Sequence, residues 1–215
     1  MTASPIDAVL FDFGGVFTAS PFDAARAFAS SVGVEPSLML ETVFGPYDRD
    51  SDHPWHRLER GELTLGDARE AIVVLGEARG FDADPFRVLA ALGHSSGPRE
   101  EFLNRARSLR RRNIPAAIVT NNVLEFREAW RAMIPLDELF DVIVDSCEVG
   151  VRKPDPRIFE KALEQLGGVK PSRALFLDDY EGNIAAARSL GLQAILVSPD
   201  PTSALAEFDR LVPRD

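Results

Sequence analysis

Five short apolar runs constrain this chain more than any other feature: residues 8–11 (AVLF), 116–119 (AAIV), 142–144 (VIV), 174–177 (ALFL) and 194–197 (AILV). Each is set off by nearby Gly, Pro, Asp or Asn, and none alternates apolar with polar, as strands buried on both faces do not. Between the last four lie segments of helical period, such as Ile158, Phe159, Ala162, Leu163 and Leu166, which lay one apolar stripe against a sheet. That alternation specifies a parallel α/β layer. Gly167 and Gly191 stand where two of these helices should end, since glycine takes the left-handed cap conformation without a Cβ clash.

The stretch between Asp12 and Thr120 is far longer than the roughly 30 residues a βαβ unit needs. Within it, residues 22–32, 37–43, 65–75 and 85–92 have helical spacing, and no strand alternation is present. The expected architecture is a Rossmann-like parallel sheet flanked by helices (residues 1–20 and 93–215), with a small all-helical cap (21–92) inserted after the first strand. A chain of 215 residues is long enough to bury such a core.

In an open parallel sheet, ligands bind beyond the carboxyl ends of the strands, so the residues leaving each strand carry the chemistry. Strand one runs into Asp12, strand two into Thr120 and Asn121, and strand four into Asp178 and Asp179; the loop after strand three carries Arg152 and Lys153. Two carboxylates at about 4 Å repel by roughly 4 kcal/mol at an effective dielectric near 20, so three together require a cation. Carboxylate and carbonyl oxygens without His or Cys select a hard ion such as Mg²⁺. Lys153 adds a positive charge for a substrate that is itself anionic, an arrangement suited to phosphoryl transfer.

The formal net charge of -10 argues against nucleic-acid binding, which needs a basic surface, so an anionic ligand must be caught locally. The single cysteine, Cys147, excludes an intrachain disulfide and fits a reducing compartment. No basic leader and no apolar run long enough to cross a bilayer is present, so the expected protein is soluble, cytoplasmic and without a membrane partner. The arginines of 105–112 flank a stripe of Phe102, Ala106 and Leu109 and read as a solvated helix face.

The segments LFDFGGVFT, IVTNN, VRKPDP and LFLDDYEGN follow one another in the order of the four motifs of the haloacid dehalogenase superfamily, which the chain resembles over nearly its whole length. The likeness is strongest to the branch containing the N-terminal phosphatase domain of soluble epoxide hydrolase and the related domain of an acyl-CoA dehydrogenase family member. It implies that Asp12 attacks phosphorus and forms an aspartyl-phosphate that water then hydrolyses. It implies further that Mg²⁺ is held by the Asp12 carboxylate, the Gly14 carbonyl and the Asp179 carboxylate, with Asp178 acting through a bound water. Thr120 and Asn121 would hold phosphate oxygens, Lys153 would offset charge on nucleophile and phosphate, and Asn183 would support the loop. The implied substrate is a small phosphorylated metabolite; neither its identity nor an oligomeric state is specified.

One departure matters. Most phosphatases of the family carry a second Asp two residues after the nucleophile, as general acid and base, and this chain has Gly14 there. Such catalysis is worth about 10² to 10⁴ in rate, or roughly 3 to 5 kcal/mol of barrier. Three readings stay open: a phosphatase whose acid comes from the cap, from water or from a good leaving group; a metal-independent 2-haloacid dehalogenase; or a non-catalytic binder of phosphorylated ligands. Adjacent Asp178 and Asp179 weigh against the second, which has no need of a metal. His53 and His56 in the cap are candidates for the missing acid, set against a plain surface role.

Overall fold

A computed structural model describes residues 5–90 and 97–213. Five strands, β1 (Ala8–Phe11), β2 (Ala116–Thr120), β3 (Val142–Asp145), β4 (Ala174–Asp178) and β5 (Gln193–Leu196), form one sheet in the order β3-β2-β1-β4-β5 with every pair parallel. β1 is central, Leu10 lying beside Ala117 on one edge and Phe176 on the other. Val9 and Phe11 join Phe102, Leu109, Phe140 and Phe208 on one face, while Leu10 joins Ile158, Phe159 and Ile184 on the other. Both faces are covered, which is why the strands read as unbroken apolar runs.

Three ladders run one residue beyond the apolar stretch, through Thr120, Asp145 and Asp178. Thr120 pairs with Asp145 and Asp178 with Leu196, because strand pairing engages only backbone and tolerates a polar side chain at the carboxyl edge. At the other end, β5 begins at Gln193 and stops before Val197.

Helices α1 (Pro21–Ser31), α2 (Pro36–Phe44), α3 (Pro54–Glu59), α4 (Leu65–Arg79) and α5 (Pro85–Ala90) lie between β1 and β2, followed by α6 (Glu100–Arg111). The expected end of the cap at residue 92 falls outside the described residues. Phe22, Met39, Phe44, Trp55, Leu58, Ile72 and Val88 from the first five helices form a third apolar cluster, separate from those on the two sheet faces. Val123, which follows β2, belongs to the same cluster, so the inserted helices pack on the sheet domain as well as on one another. In α6, Arg105, Arg107 and Arg110 pair with Asp209, Glu100 and Asp141 while Phe102, Ala106 and Leu109 are buried, so the basic run is a solvated face.

The remaining helices are α7 (Arg127–Arg131), α8 (Leu136–Leu139), α9 (Ser146–Val149), α10 (Pro156–Gln165), α11 (Glu181–Leu190) and α12 (Thr202–Leu211). At the end of α10, Gly168 N donates to Leu163 O and Gly167 N to Glu164 O, both at 3.0 Å, and Gly167 has φ 91°. Gly191, with φ 99°, caps α11 in the left-handed conformation, so both Gly167 and Gly191 do what their positions in the sequence suggest. No helix among the described residues is long and apolar enough to cross a membrane.

α3 has no counterpart in the periodicity, because six residues are too few to show one. His53 caps it, its Nδ1 accepting from Trp55 N at 3.2 Å, and His56 is fully buried with Nδ1 2.9 Å from Ser51 Oγ. Burial holds the His53 ring down to about 4; burial, reinforced by the Arg152 cation, holds His56 down to about 3. Their folded values lie below the unfolded one near 6.5, so the unfolded chain binds more protons, and the stability they contribute is lost as pH falls from about 6.5 toward 4. A double His53→Asn, His56→Asn variant is expected to flatten the decline in urea midpoint over that range; an unchanged slope would show that the rings are not the titrating groups.

Candidate active site

Asp12, the first residue after β1, donates its backbone N–H to Leu177 O (2.8 Å), carrying the β1–β4 ladder one step past the strand. Its Oδ1 accepts from Phe13 N (2.7 Å) and lies 2.8 Å from Lys153 Nζ. Lys153 Nζ reaches on to Asp178 Oδ2 at 2.7 Å, so one buried ammonium bridges two strand-end carboxylates. Oxygens of Asp12, Asp178 and Asp179 all lie within 4.8 Å of one another.

Burial pushes the Asp12 carboxyl up to about 7 against the pull of Lys153, and burial with the charges of Asp178 and Asp12 pushes Asp179 up to about 8. Burial works against the Lys153 charge too, but Asp12 and Asp178 outweigh it and hold the ammonium above its ordinary range. One ammonium leaves this carboxylate cluster short of positive charge. The donor set, oxygen only and crowded, fits a hard divalent cation.

Asp178 is fully buried and both its oxygens are engaged: Asn183 Nδ2 donates to each at 3.1 and 3.0 Å, and Tyr180 N donates to Oδ1 at 2.8 Å. Asn183 thus supports the loop by fixing Asp178, which in turn fixes Lys153. Asn121 braces the same lysine from the other side, its Oδ1 accepting from Lys153 N (2.7 Å) and its Nδ2 donating to Lys153 O (3.0 Å). At Gly15, φ is +73° and an added Cβ would fall 2.2 Å from Asp179 Cγ, so only glycine lets the loop approach that carboxylate. At Gly14 a Cβ would meet only Pro21 Cδ at 3.6 Å, so packing does not impose glycine there.

A cavity of about 400 Å³ opens on Asp12, Thr120, Asn121, Lys153 and Asp179. Its walls are mostly apolar, with Phe44, Leu89, Phe126, Trp130 and Met133 among them, and the cap contributes Tyr47, Trp55 and Glu59. Every sequence-derived site residue that should touch substrate lines it; His53 and His56 do not, which leaves their rings out of place to supply an acid. Trp55 belongs to the cap segment 53–57 that the sequence marks as able to face substrate, whereas Tyr47 and Glu59 carry no such signal, although Trp55, Leu58 and Glu59 share the i, i+3, i+4 spacing of one helix face and all three are buried. Cys147 donates from Sγ to Asp145 Oδ1 (3.2 Å), and burial with the nearby carboxylates pushes its thiol up to about 12, leaving it an inert packed side chain.

A family model described as haloacid dehalogenase-like hydrolase matches residues 6–191. The chain belongs to the haloacid dehalogenase-like hydrolases. Over 210 residues, 95% of this chain, it is 33% identical to acyl-CoA dehydrogenase family member 10 of Mus musculus, of which it covers 19%. It is 36% identical over 114 residues to bifunctional epoxide hydrolase 2 of Rattus norvegicus, covering 51% of this chain and 20% of that one. The chain therefore spans about a fifth of each of these two relatives. A third, phosphoserine phosphatase of Thermus thermophilus, is 34% identical over 98 residues (46% of this chain, 38% of that one).

Solved haloacid dehalogenase-like structures share the fold. A family enzyme of Bacteroides thetaiotaomicron in complex with magnesium and inorganic phosphate superposes with TM-score 0.59 at 20% identity over 91% of this chain and 96% of that one. L-2-haloacid dehalogenase of Xanthobacter autotrophicus also does, with TM-score 0.59 at 22% identity over 98% and 84%.

Proposed function

We propose that the protein is a Mg²⁺-dependent phosphohydrolase that dephosphorylates a small metabolite by way of a phosphorylated Asp12. The observation that carries this reading is the convergence of Asp12, Asp178 and Asp179 around Lys153, with Asp12, Lys153 and Asp179 lining a cavity. Relatives named as phosphatases and a fold neighbour bound to magnesium and phosphate support it.

In this reading the Asp12 carboxylate, the Gly14 carbonyl and the Asp179 carboxylate hold Mg²⁺, which would neutralise the crowded carboxylates and polarise the phosphoryl group. Asp178, whose oxygens also accept from Lys153, Asn183 and Tyr180 N, would act on the ion through a bound water. Asp12 attacks phosphorus, Lys153 offsets the charge that builds on the equatorial oxygens, and Thr120 and Asn121 fix the phosphate. Residues 1–20 and 93–215 form the catalytic core and 21–92 the cap, which excludes bulk water.

Among the described residues, Lys153 is the only cation lining the cavity, against Asp12, Glu59 and Asp179. A leaving group with further negative charge has no partner there, whereas an uncharged and partly apolar one fits the Phe126, Trp130 and Met133 wall. With no carboxylate at position 14, substrates with good leaving groups are favoured. The reducing cytoplasm suits the free thiol of Cys147.

The same missing carboxylate and a fold neighbour named as a haloacid dehalogenase favour the dehalogenase alternative, and a paired assay separates the two. Phosphate release from p-nitrophenyl phosphate should need Mg²⁺ and stop with EDTA. Chloride release from 2-chloropropionate that survives the chelator, without phosphate release, would reverse the assignment. Gly15→Ala should push Asp179 aside and weaken Mg²⁺ binding at least about tenfold by calorimetric titration, the scale of one disturbed ligand; undiminished affinity would remove Asp179 from the proposed ligand set.

A further inference from the structure

A buried polar circuit ties the cap to the two residues that hold Lys153 in place. Arg152, fully buried and adjacent to Lys153 in the chain, donates from Nε to Glu59 Oε2 at 2.7 Å. Glu59, only 2% exposed at the end of α3, also accepts from Trp55 Nε1 at 2.9 Å and from the Tyr47 hydroxyl at 2.5 Å. The Tyr47 oxygen in turn lies 3.4 Å from Asn121 Nδ2, the amide that bonds the Lys153 backbone. The Arg152 guanidinium carbon sits 4.4 Å above the Tyr47 ring, closing the loop by a cation–π contact.

The circuit is chemically specific. A charge buried without a partner is far costlier than a packed apolar pair, so an arginine and a glutamate contributed by core and cap hold the two in one register more sharply than apolar contact does. Among the described residues, Nη1 and Nη2 of Arg152 are buried with no hydrogen-bond partner, and the Asp50 carboxylate stands 3.7 Å from Nη1. The Glu59 bond is therefore the principal anchor of that cation, and it crosses from cap to core.

We infer that Arg152, Glu59 and Tyr47 are positioning residues: they transmit the seating of the cap to the Lys153 loop, so that the ammonium stands between Asp12 and Asp178 only when the cap is closed over the cavity. The inference rests on the phosphohydrolase reading for its kinetic consequence, but its structural consequence stands apart from it. Substrate enclosure and charge stabilisation thereby become one event, which suits an active site whose apolar walls include side chains from both cap and core.

Two variants test it. Tyr47→Phe deletes a single hydroxyl and keeps the ring; Glu59→Gln keeps the shape and removes the countercharge of Arg152. In Tyr47→Phe, kcat for p-nitrophenyl phosphate should fall about tenfold with KM within about twofold, the scale of one hydrogen bond felt in the transition state. Glu59→Gln should lose more. Hydrogen–deuterium exchange read on residues 150–156 in the full chain should speed up in both variants, with no need of turnover. If the loop exchanges at the wild-type rate, or exchanges faster while kcat stays put, the circuit is merely structural and the inference is overturned. If wild type hydrolyses no phosphate yet the loop exchange still rises in the variants, the coupling holds and the phosphohydrolase reading is what fails.

Discussion

Asp12→Asn should reduce phosphate release by roughly 10⁴-fold or more, the scale expected when a covalent nucleophile is removed. The amide is isosteric and can still accept from Phe13 N, so the loop should keep its shape. Folding should not suffer. Burial already pushes the Asp12 carboxyl up to about 7, which means that its charge is held at a cost, and asparagine relieves that cost. The melting temperature without added metal should therefore hold or rise while kcat collapses. A variant that keeps turnover, or one that loses activity only because it unfolds, contradicts the role assigned to Asp12.

Lys153→Met should move both quantities down together. Its ammonium, 1% exposed, is the shared partner of Asp12 Oδ1 and Asp178 Oδ2, and methionine fills the space without the charge. Removing one member of a buried ion pair typically costs about 3 to 5 kcal/mol, because the carboxylates left behind are uncompensated. The rate should drop by about 10³-fold or more, since offset of charge on the phosphoryl oxygens and alignment of the nucleophile vanish at once. Urea unfolding together with steady-state kinetics reads both effects. Opposite stability signs for Asp12→Asn and Lys153→Met would be hard to produce unless these groups form one overcrowded acidic site relieved by a single lysine.

The sheet was legible because both of its faces are buried: AVLF at 8–11 and ALFL at 174–177 have no solvent side to interrupt them, and the parallel order then delivers Asp12, Thr120, Asp178 and Asp179 to one edge. The cap was legible as a helical insertion but not in its docking. Glu59 reaches Arg152 across 93 positions of sequence, and a six-residue helix carries too short a pattern to reveal which face turns inward. Gly15 was likewise unremarked, since its necessity comes from Asp179, a residue supplied by a distant strand. Asn121 could be placed at a strand end, yet its grip on the Lys153 backbone depends on how β2 and the loop after β3 meet, which local sequence does not encode.

Mass analysis after rapid acid quench of the protein turning over p-nitrophenyl phosphate with Mg²⁺ is the most direct probe of the proposed chemistry. One added phosphoryl group, mapped to the peptide that carries Asp12 and missing from Asp12→Asn, is the result expected. Steady phosphate release from a protein that stays unmodified at that peptide, at every quench time, would contradict it.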